Sequence, residues 1–179
     1  MKLLVGLGNP GVSYERTRHN AGALFLQKLQ LDNCLSSWRL EKKFKALVSR
    51  GFLGKTEVLL VLPQTFMNLS GESVFAALNF YRLQAKEDLV LIYDDLDLEF
   101  GRFKISRQAP HGHNGVKSVQ EKLKINDFLQ MRIGVDARGG ERKIPGMDYV
   151  LQVFSVLELE RLREEIFSQA ETELERQWL

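Results

Sequence analysis

Five apolar residues in succession, Leu89-Val-Leu-Ile-Tyr93, run straight into Asp94-Asp-Leu-Asp97. A strand that is apolar at every position needs both of its faces covered, which calls for a sheet with helices packed above and below it. Carboxylates at the end of such a strand are costly unless something pairs them. In open α/β sheets, ligands bind outside the carboxyl ends of the strands. The run therefore constrains both the architecture and the place to look for chemistry.

The N-terminal stretch has the same form. Residues 3–5 are an apolar run bounded by glycines and read as a second buried strand. Gly6, Gly8 and Gly11 follow in G-x-G-x-x-G, with Asn9 inside the motif, then Tyr14, then His19 between Arg18 and Asn20. A dinucleotide site needs a helix opening at the third glycine and an acid about 20 residues on, ending a second strand. Pro10 lies inside the motif, residues 12–18 have no 3.6-residue period, and the nearest acid, Asp32, ends no strand. The alternative is a pocket lined by Asn9 and His19, in which the glycines serve the turn.

The remaining chain alternates between the two periods. Residues 20–31 place Ala21, Leu24, Phe25, Leu29 and Leu31 at helical spacing, with Asn20 as N-cap. Residues 44–52 and 58–62 read as an antiparallel hairpin closed by Pro63, and 64–70 as a short loop before a helix over 70–81. Strands follow at 103–106 and 128–135, with a helix over 115–123 capped by Asn114 between them. A mobile basic loop over 137–145 precedes an acidic helix over 156–178. Strands interleaved with helices, plus one inserted hairpin, predict an α/β fold: a single three-layer domain, residues 1–179, with a mixed sheet and helices on both faces.

The single cysteine, Cys34, excludes an internal disulfide and a cysteine-rich zinc site and fits a reducing cytosol. The N-terminus lacks a signal-peptide core, and no apolar run is long enough to span a membrane, so a cytoplasmic protein is expected. Net charge is only +2, yet it is unevenly spread. Residues 157–179 hold seven acids against three arginines, whereas residues 101–146 hold ten basic residues against four acids. That basic stretch fits a phosphate-rich partner, although solvated faces alone would also account for it.

Asn9, His19, Asn68, Asp94, His113 and Asn114 all fall at predicted strand ends on one rim. No serine or cysteine has a nucleophile-elbow context. A metal site from His19, His111, His113 and Asp94 is one reading, because imidazole and carboxylate suit zinc. The other is metal-free hydrolysis with water as nucleophile. A histidine then takes the proton, a carboxylate fixes its tautomer, and asparagines hold the substrate's amide and carbonyl groups. His19 with Asp94 is the natural pair, leaving Asp95 and Asp97 to cap loops or face solvent.

The segments Gly-Leu-Gly-Asn-Pro-Gly, Thr-Arg-His-Asn-Ala-Gly, Pro-Gln-Thr-Phe-Met-Asn-Leu-Ser-Gly, Asp-Asp-Leu-Asp-Leu, His-Asn-Gly and Arg-Ile-Gly occur in this order between Lys2 and Phe154. Together they resemble the bacterial-type peptidyl-tRNA hydrolases. The resemblance implies a cytoplasmic, usually monomeric enzyme without cofactor or metal, which cleaves the ester between peptide and tRNA and so recycles tRNA for translation. It makes His19 the general base, Asp94 its partner, and Asn9 the residue that distinguishes N-blocked from free aminoacyl groups. Tyr14, Phe66, Asn68 and Asn114 would contact the peptide and the tRNA acceptor end, with Met67 and His113 lining the same region. Arg132 matches a basic family position, and the basic stretch would lie on the acceptor stem. His111 stands where the family has glycine, and the spacing of Arg102, Lys104 and Arg107 and the segment Asp136-Ala-Arg-Gly-Gly also depart from its pattern. An RNA-binding protein on the same fold is the non-enzyme alternative; retention of His19, Asp94 and both asparagines argues against it.

Overall fold

A computed structural model describes residues 1–108, 112–139 and 143–178. Seven strands form one sheet in the order β2-β3-β4-β1-β5-β7-β6, where β1 is Lys2–Gly6, β2 Arg39–Glu41, β3 Ala46–Leu53, β4 Thr56–Pro63, β5 Leu89–Glu99, β6 Phe103–Ser106 and β7 Leu129–Asp136. The central strands β4, β1, β5 and β7 are mutually parallel, while β2, β3 and β6 add antiparallel edges, so the sheet is mixed as the sequence predicts. The β3–β4 hairpin turns through Gly54, whose φ of 57° suits a residue without a side chain. β2 is absent from the sequence reading: three half-exposed or exposed residues carry no periodic signal, and pairing with β3 makes the strand.

Helices cover both faces. On one, α1 (Ala21–Asp32) and the C-terminal helices bury Phe25, Leu29, Phe167 and Leu174 against β4, β5 and β7 residues such as Leu60, Ile92 and Ile133. Phe25 meets Phe167 edge-on at 5.4 Å, a geometry that adds to simple area burial. On the other, α2 (Ser70–Tyr81) and α4 (Asn114–Leu123) bury Val74, Ala77, Val116 and Val119 against Leu3, Leu59 and Leu91. A short α3 (Ala85–Asp88) leads into β5. Alternate residues of β1, β4 and β5 thus feed two separate cores, which is why these strands are apolar throughout.

Two elements differ from expectation. β5 continues past Tyr93 to Glu99, so the carboxylates lie within a strand, not in a loop after one. The C-terminal helix is broken into α6 (Val156–Arg161), a π-helical turn (Leu162–Ile166) and α7 (Phe167–Trp178). Its start is set by a capping box, Ser155 and Glu158 each holding the other's backbone N–H. Ahead of it, Gly146–Val150 forms a one-turn helix, α5, between the loop read over 137–145 and the C-terminal helix, where the sequence reading assigns no element.

Candidate active site

β1 hands the chain through α1 toward β4, while β5 hands it through β6 and α4 toward β7. Connections that leave neighbouring strands in opposite directions open a crevice at their carboxyl ends. A cavity of about 490 Å³ lies there. Asn9, His19, Phe66, Met67, Asn68, Asp94, His113 and Asn114 all line it, together with Asp95 and with Met147, Val150 and Leu151, which supply apolar wall.

The turn that carries His19 is pressed onto the sheet by small residues. A Cβ on Gly22, at the start of α1, would lie 2.1 Å from the Ile92 carbonyl oxygen of β5, so only glycine lets the helix sit that close. A Cβ on Gly8 would meet the Asn20 side chain at 2.9 Å. After Gly11 the chain makes turns and a 3₁₀ segment, Arg18–Asn20, and α1 opens only at Ala21. The glycine motif therefore serves close packing, and the helix that a dinucleotide site requires at the third glycine is not there.

His19 and His113 converge on one oxygen. His19 Nδ1 lies 2.9 Å and His113 Nε2 3.0 Å from Asp94 Oδ1. His113 occupies the N-cap of α4, and its Nδ1 accepts from the backbone N–H of Gly115 and Val116. The predicted cap, Asn114, is instead the first helical residue, which frees its amide for the cavity. Because His113 Nδ1 accepts, its hydrogen sits on Nε2 and is donated to Asp94. Burial disfavours the Asp94 charge, but the two imidazoles more than offset this and hold its carboxyl well below the usual carboxylate range. Burial likewise lowers the His19 pKa, yet the Asp94 charge and hydrogen bond carry it above the ordinary 6.5. With Nδ1–H given to Asp94, Nε2 of neutral His19 keeps its lone pair.

Asn9 is fixed just as closely. Its backbone N–H donates to Asn20 Oδ1 at 2.9 Å, and its carbonyl accepts from Asn20 Nδ2 at 3.0 Å. Its side-chain Oδ1 accepts from Met67 N–H at 2.9 Å, so its Nδ2 hydrogens remain for a ligand. Asn20 stands at the N-cap position of α1, but its side chain holds Asn9 and not the helix end, contrary to the capping role expected of it. The side chains of Asn68 and Asn114 make no hydrogen bond among the described residues, and both are exposed at the cavity rim.

Tyr14 is not on the cavity wall; it touches the site through Phe66, whose ring it meets edge-on at 6.4 Å. Arg132 lies outside the cavity too, with its Nε donating to Asp95 Oδ2. Asp95 is therefore buried and ion-paired, at 3% exposure, and does not face solvent, because β5 continues through it; Asp97 is exposed. Sequence reasoning missed Asn20 as a brace, Arg18 as a buried cation, and the α5 wall. Their partners lie up to 140 residues away, and no local pattern announces such contacts.

Donor atoms of His19, Asp94 and His113 lie within 4.8 Å of one another, a set that suits a metal such as zinc. Both imidazole nitrogens nearest Asp94 are engaged on its Oδ1, so a metal would have to break those bonds. His111, the fourth candidate ligand, lies outside the described residues.

Three comparisons bear on this geometry. A family model described as peptidyl-tRNA hydrolase matches residues 3–178. The peptidyl-tRNA hydrolase of Brevibacillus brevis is 42% identical over 170 residues, covering 93% of this chain and 86% of that protein. That of Fusobacterium nucleatum is 40% identical over 165 residues, 92% of this chain and 83% of that one. The crystal structure of peptidyl-tRNA hydrolase from Acinetobacter baumannii superposes with a TM-score of 0.83 at 30% identity, covering 99% of this chain and 90% of that one.

Proposed function

The chain belongs to the peptidyl-tRNA hydrolase family, and on that premise we propose how its own residues cleave the ester that joins a peptide to tRNA. His19 Nε2 takes a proton from a water molecule, and the hydroxide attacks the ester carbonyl carbon. Asp94 stabilises the imidazolium that forms. Asn9 Nδ2 donates to the carbonyl oxygen as it gains negative charge. The tetrahedral intermediate collapses, the ribose oxygen leaves with the proton returned by His19, and the products are a peptide carboxylate and tRNA with a free hydroxyl. The observation that carries this reading is the His19–Asp94 contact of 2.9 Å on the cavity floor.

Asn68, Asn114, Phe66 and Met67 hold the peptide and the acceptor end, with Tyr14 acting through Phe66. Lys104 stands directly opposite Arg132 across β6 and β7, so the two side chains share a face; they are the cations proposed to meet the acceptor stem. Other basic residues of the stretch are internally engaged, Arg107 with Asp127 and Arg138 with Asp136, while Arg102, Lys104 and Lys124 have no acidic partner among the described residues.

The proposal extends to a single catalytic domain over residues 1–179, supported by one sheet that runs through all seven strands. It also extends to a monomer in the cytoplasm; no helix among the described residues is long and apolar enough to cross a membrane.

The test is release of tRNA from N-acetyl-aminoacyl-tRNA and from the matching free aminoacyl-tRNA, with and without EDTA. Cleavage of the blocked ester alone, insensitive to EDTA, is the expected result. Sensitivity to EDTA would transfer His19, Asp94 and His113 to the metal reading. Binding of tRNA without cleavage would transfer the chain to the RNA-binding one.

A further inference from the structure

His19 is flanked by a buried cation that the mechanism above does not use. The Arg18 guanidinium is 8% exposed and pairs with Glu158 at 2.8 Å. It lies 4.6 Å from the ring centre of Tyr149 and 4.9 Å from that of Phe154, and reaches the Val135 carbonyl at the end of β7. The backbone reinforces the contact: Arg18 N–H donates to the Gln152 carbonyl, Phe154 N–H to the Arg16 carbonyl, and Thr17 bridges Val153.

This is a costly way to fill space. Arg18 Nε has no hydrogen-bond partner among the described residues, and buried ion pairs contribute little net stability compared with apolar side chains of similar volume. What the arrangement does supply is orientation, since a planar guanidinium fixed at its edge and stacked on rings leaves its own backbone little freedom. Tyr149 belongs to α5, which also carries Met147 and Val150 of the cavity wall, and its hydroxyl accepts from Ala137 N–H. The turn bearing the base and the α5 part of the cavity wall are thus tied by one side chain.

We propose that Arg18 is a positioning residue for His19: held by Glu158 and stacked on Tyr149 and Phe154, it keeps the His19 turn in register with Asp94 and with the α5 wall. The role rests on His19 acting as the base, so the test separates the two statements. The sequence has only three histidines, which makes their imidazole titrations separable by NMR. His19 titration is followed in the wild-type protein, Arg18→Lys, Arg18→Met and Glu158→Gln. Single-turnover cleavage of N-acetyl-aminoacyl-tRNA is measured for each and for His19→Ala.

Arg18→Lys keeps the charge and loses the fork and the stacking. It is expected to cleave roughly tenfold to a hundredfold more slowly, because small misplacements of a base cost rates of that order. The His19 midpoint should fall, since weakening the Asp94 contact leaves burial to act alone; Arg18→Met should show the same fall. Loss of a cation by itself would raise the midpoint, so the sign identifies the cause. Glu158→Gln is read by rate, with a smaller loss expected, because removing an anion lowers the His19 midpoint by charge alone. Folded Arg18 variants with wild-type rate and midpoint, or with a raised midpoint, overturn the proposal. If neither Arg18 variant folds, Glu158→Gln decides, and an unchanged single-turnover rate there overturns it. Retained cleavage in His19→Ala would overturn the base assignment itself, whatever the Arg18 variants do.

Discussion

Asp94 and Asp95 are consecutive, buried on the same strand and on the wall of the same crevice, yet they anchor different regions, one the histidine pair and the other β7 at Arg132. Asp94 faces the crevice and shares one oxygen between two imidazoles. Asp95, also on the crevice wall, accepts from Arg132 of β7, with its other oxygen taking the Asp97 N–H. Both negative charges are compensated, as burial requires. The partners differ in kind. An imidazole gains and loses a proton near neutrality, whereas a guanidinium does not. One carboxylate therefore sits in a centre whose charge can change during a reaction, and the other in a pair whose charge is fixed.

That contrast predicts which substitutions stop chemistry. His19→Ala should lower the rate of ester cleavage by about 10³-fold or more, in line with loss of a positioned general base, with tRNA binding retained because the base meets the ester and not the stem. Equal loss of binding and turnover would break the distinction between the regions. Asp94→Asn comes next, with a loss of about 10²- to 10⁴-fold and a displaced pH profile. In the wild-type protein His19 must be neutral to act and its pKa is raised, so the acid limb of kcat/KM should lie above pH 6.5. Without the Asp94 charge only burial remains, and the limb should move below pH 6.5.

Asp95→Asn tests the other side. Removing one member of a buried pair leaves the other unpaired and costs about 3–5 kcal/mol, read as a lower midpoint in denaturant. The acid limb should stay where it is. A shift like that of Asp94→Asn would mean the two carboxylates form one centre.

The crevice was legible in the sequence to the extent that its groups are local to strand ends. Leu89 to Tyr93 announces burial, and Asp94 follows it; residues 3–5 do the same for Asn9 and His19. The rule that ligands gather at strand ends then joins them. The other region was not legible in the same way. Asp95 reads as a loop cap or a solvent-facing group because nothing in Asp94-Asp-Leu-Asp97 says that β5 runs on to Glu99 and pairs with β7. His113 and Asn114 are adjacent, asparagine is the ordinary capping type of the two, and only the backbone angles of the turn put His113 at the cap instead. The Arg18 clamp and the α5 wall depend on contacts across more than a hundred residues, where composition and periodicity are silent.

Stability against pH separates the regions more weakly. Asp94 has a lowered pKa, so its stabilising contribution is present above its ordinary value of 3.8 and is lost as pH falls through the folded value beneath it. His19 has a raised pKa, so its contribution is complete below pH 6.5 and fades as pH rises through the folded value. Denaturation midpoints followed from pH 5 to pH 8 should therefore decline slightly toward the alkaline end. In Asp94→Asn, where burial alone acts on His19, that decline should turn into a slight rise with pH below 6.5.

The smallest effect concerns the cations at the sheet edge. Lys104 and Arg132 face one another across β6 and β7, but Arg132 already answers Asp95 while Lys104 has no acidic partner among the described residues. A cation bound to phosphate releases counterions, so each contact steepens the decline of binding with salt. Lys104→Gln should therefore raise KM with kcat unchanged and reduce the slope of log K against log salt by about 1. Arg132→Gln should change that slope less, because part of its charge is spent on Asp95. It should destabilise the fold more, because Asp95 is left buried without its partner. Salt titrations of tRNA binding and denaturation of the two variants side by side check both orders. If Arg132→Gln proved the larger in slope and the smaller in stability, the fixed pair at Asp95 would be incidental, and Arg132 would belong to the substrate.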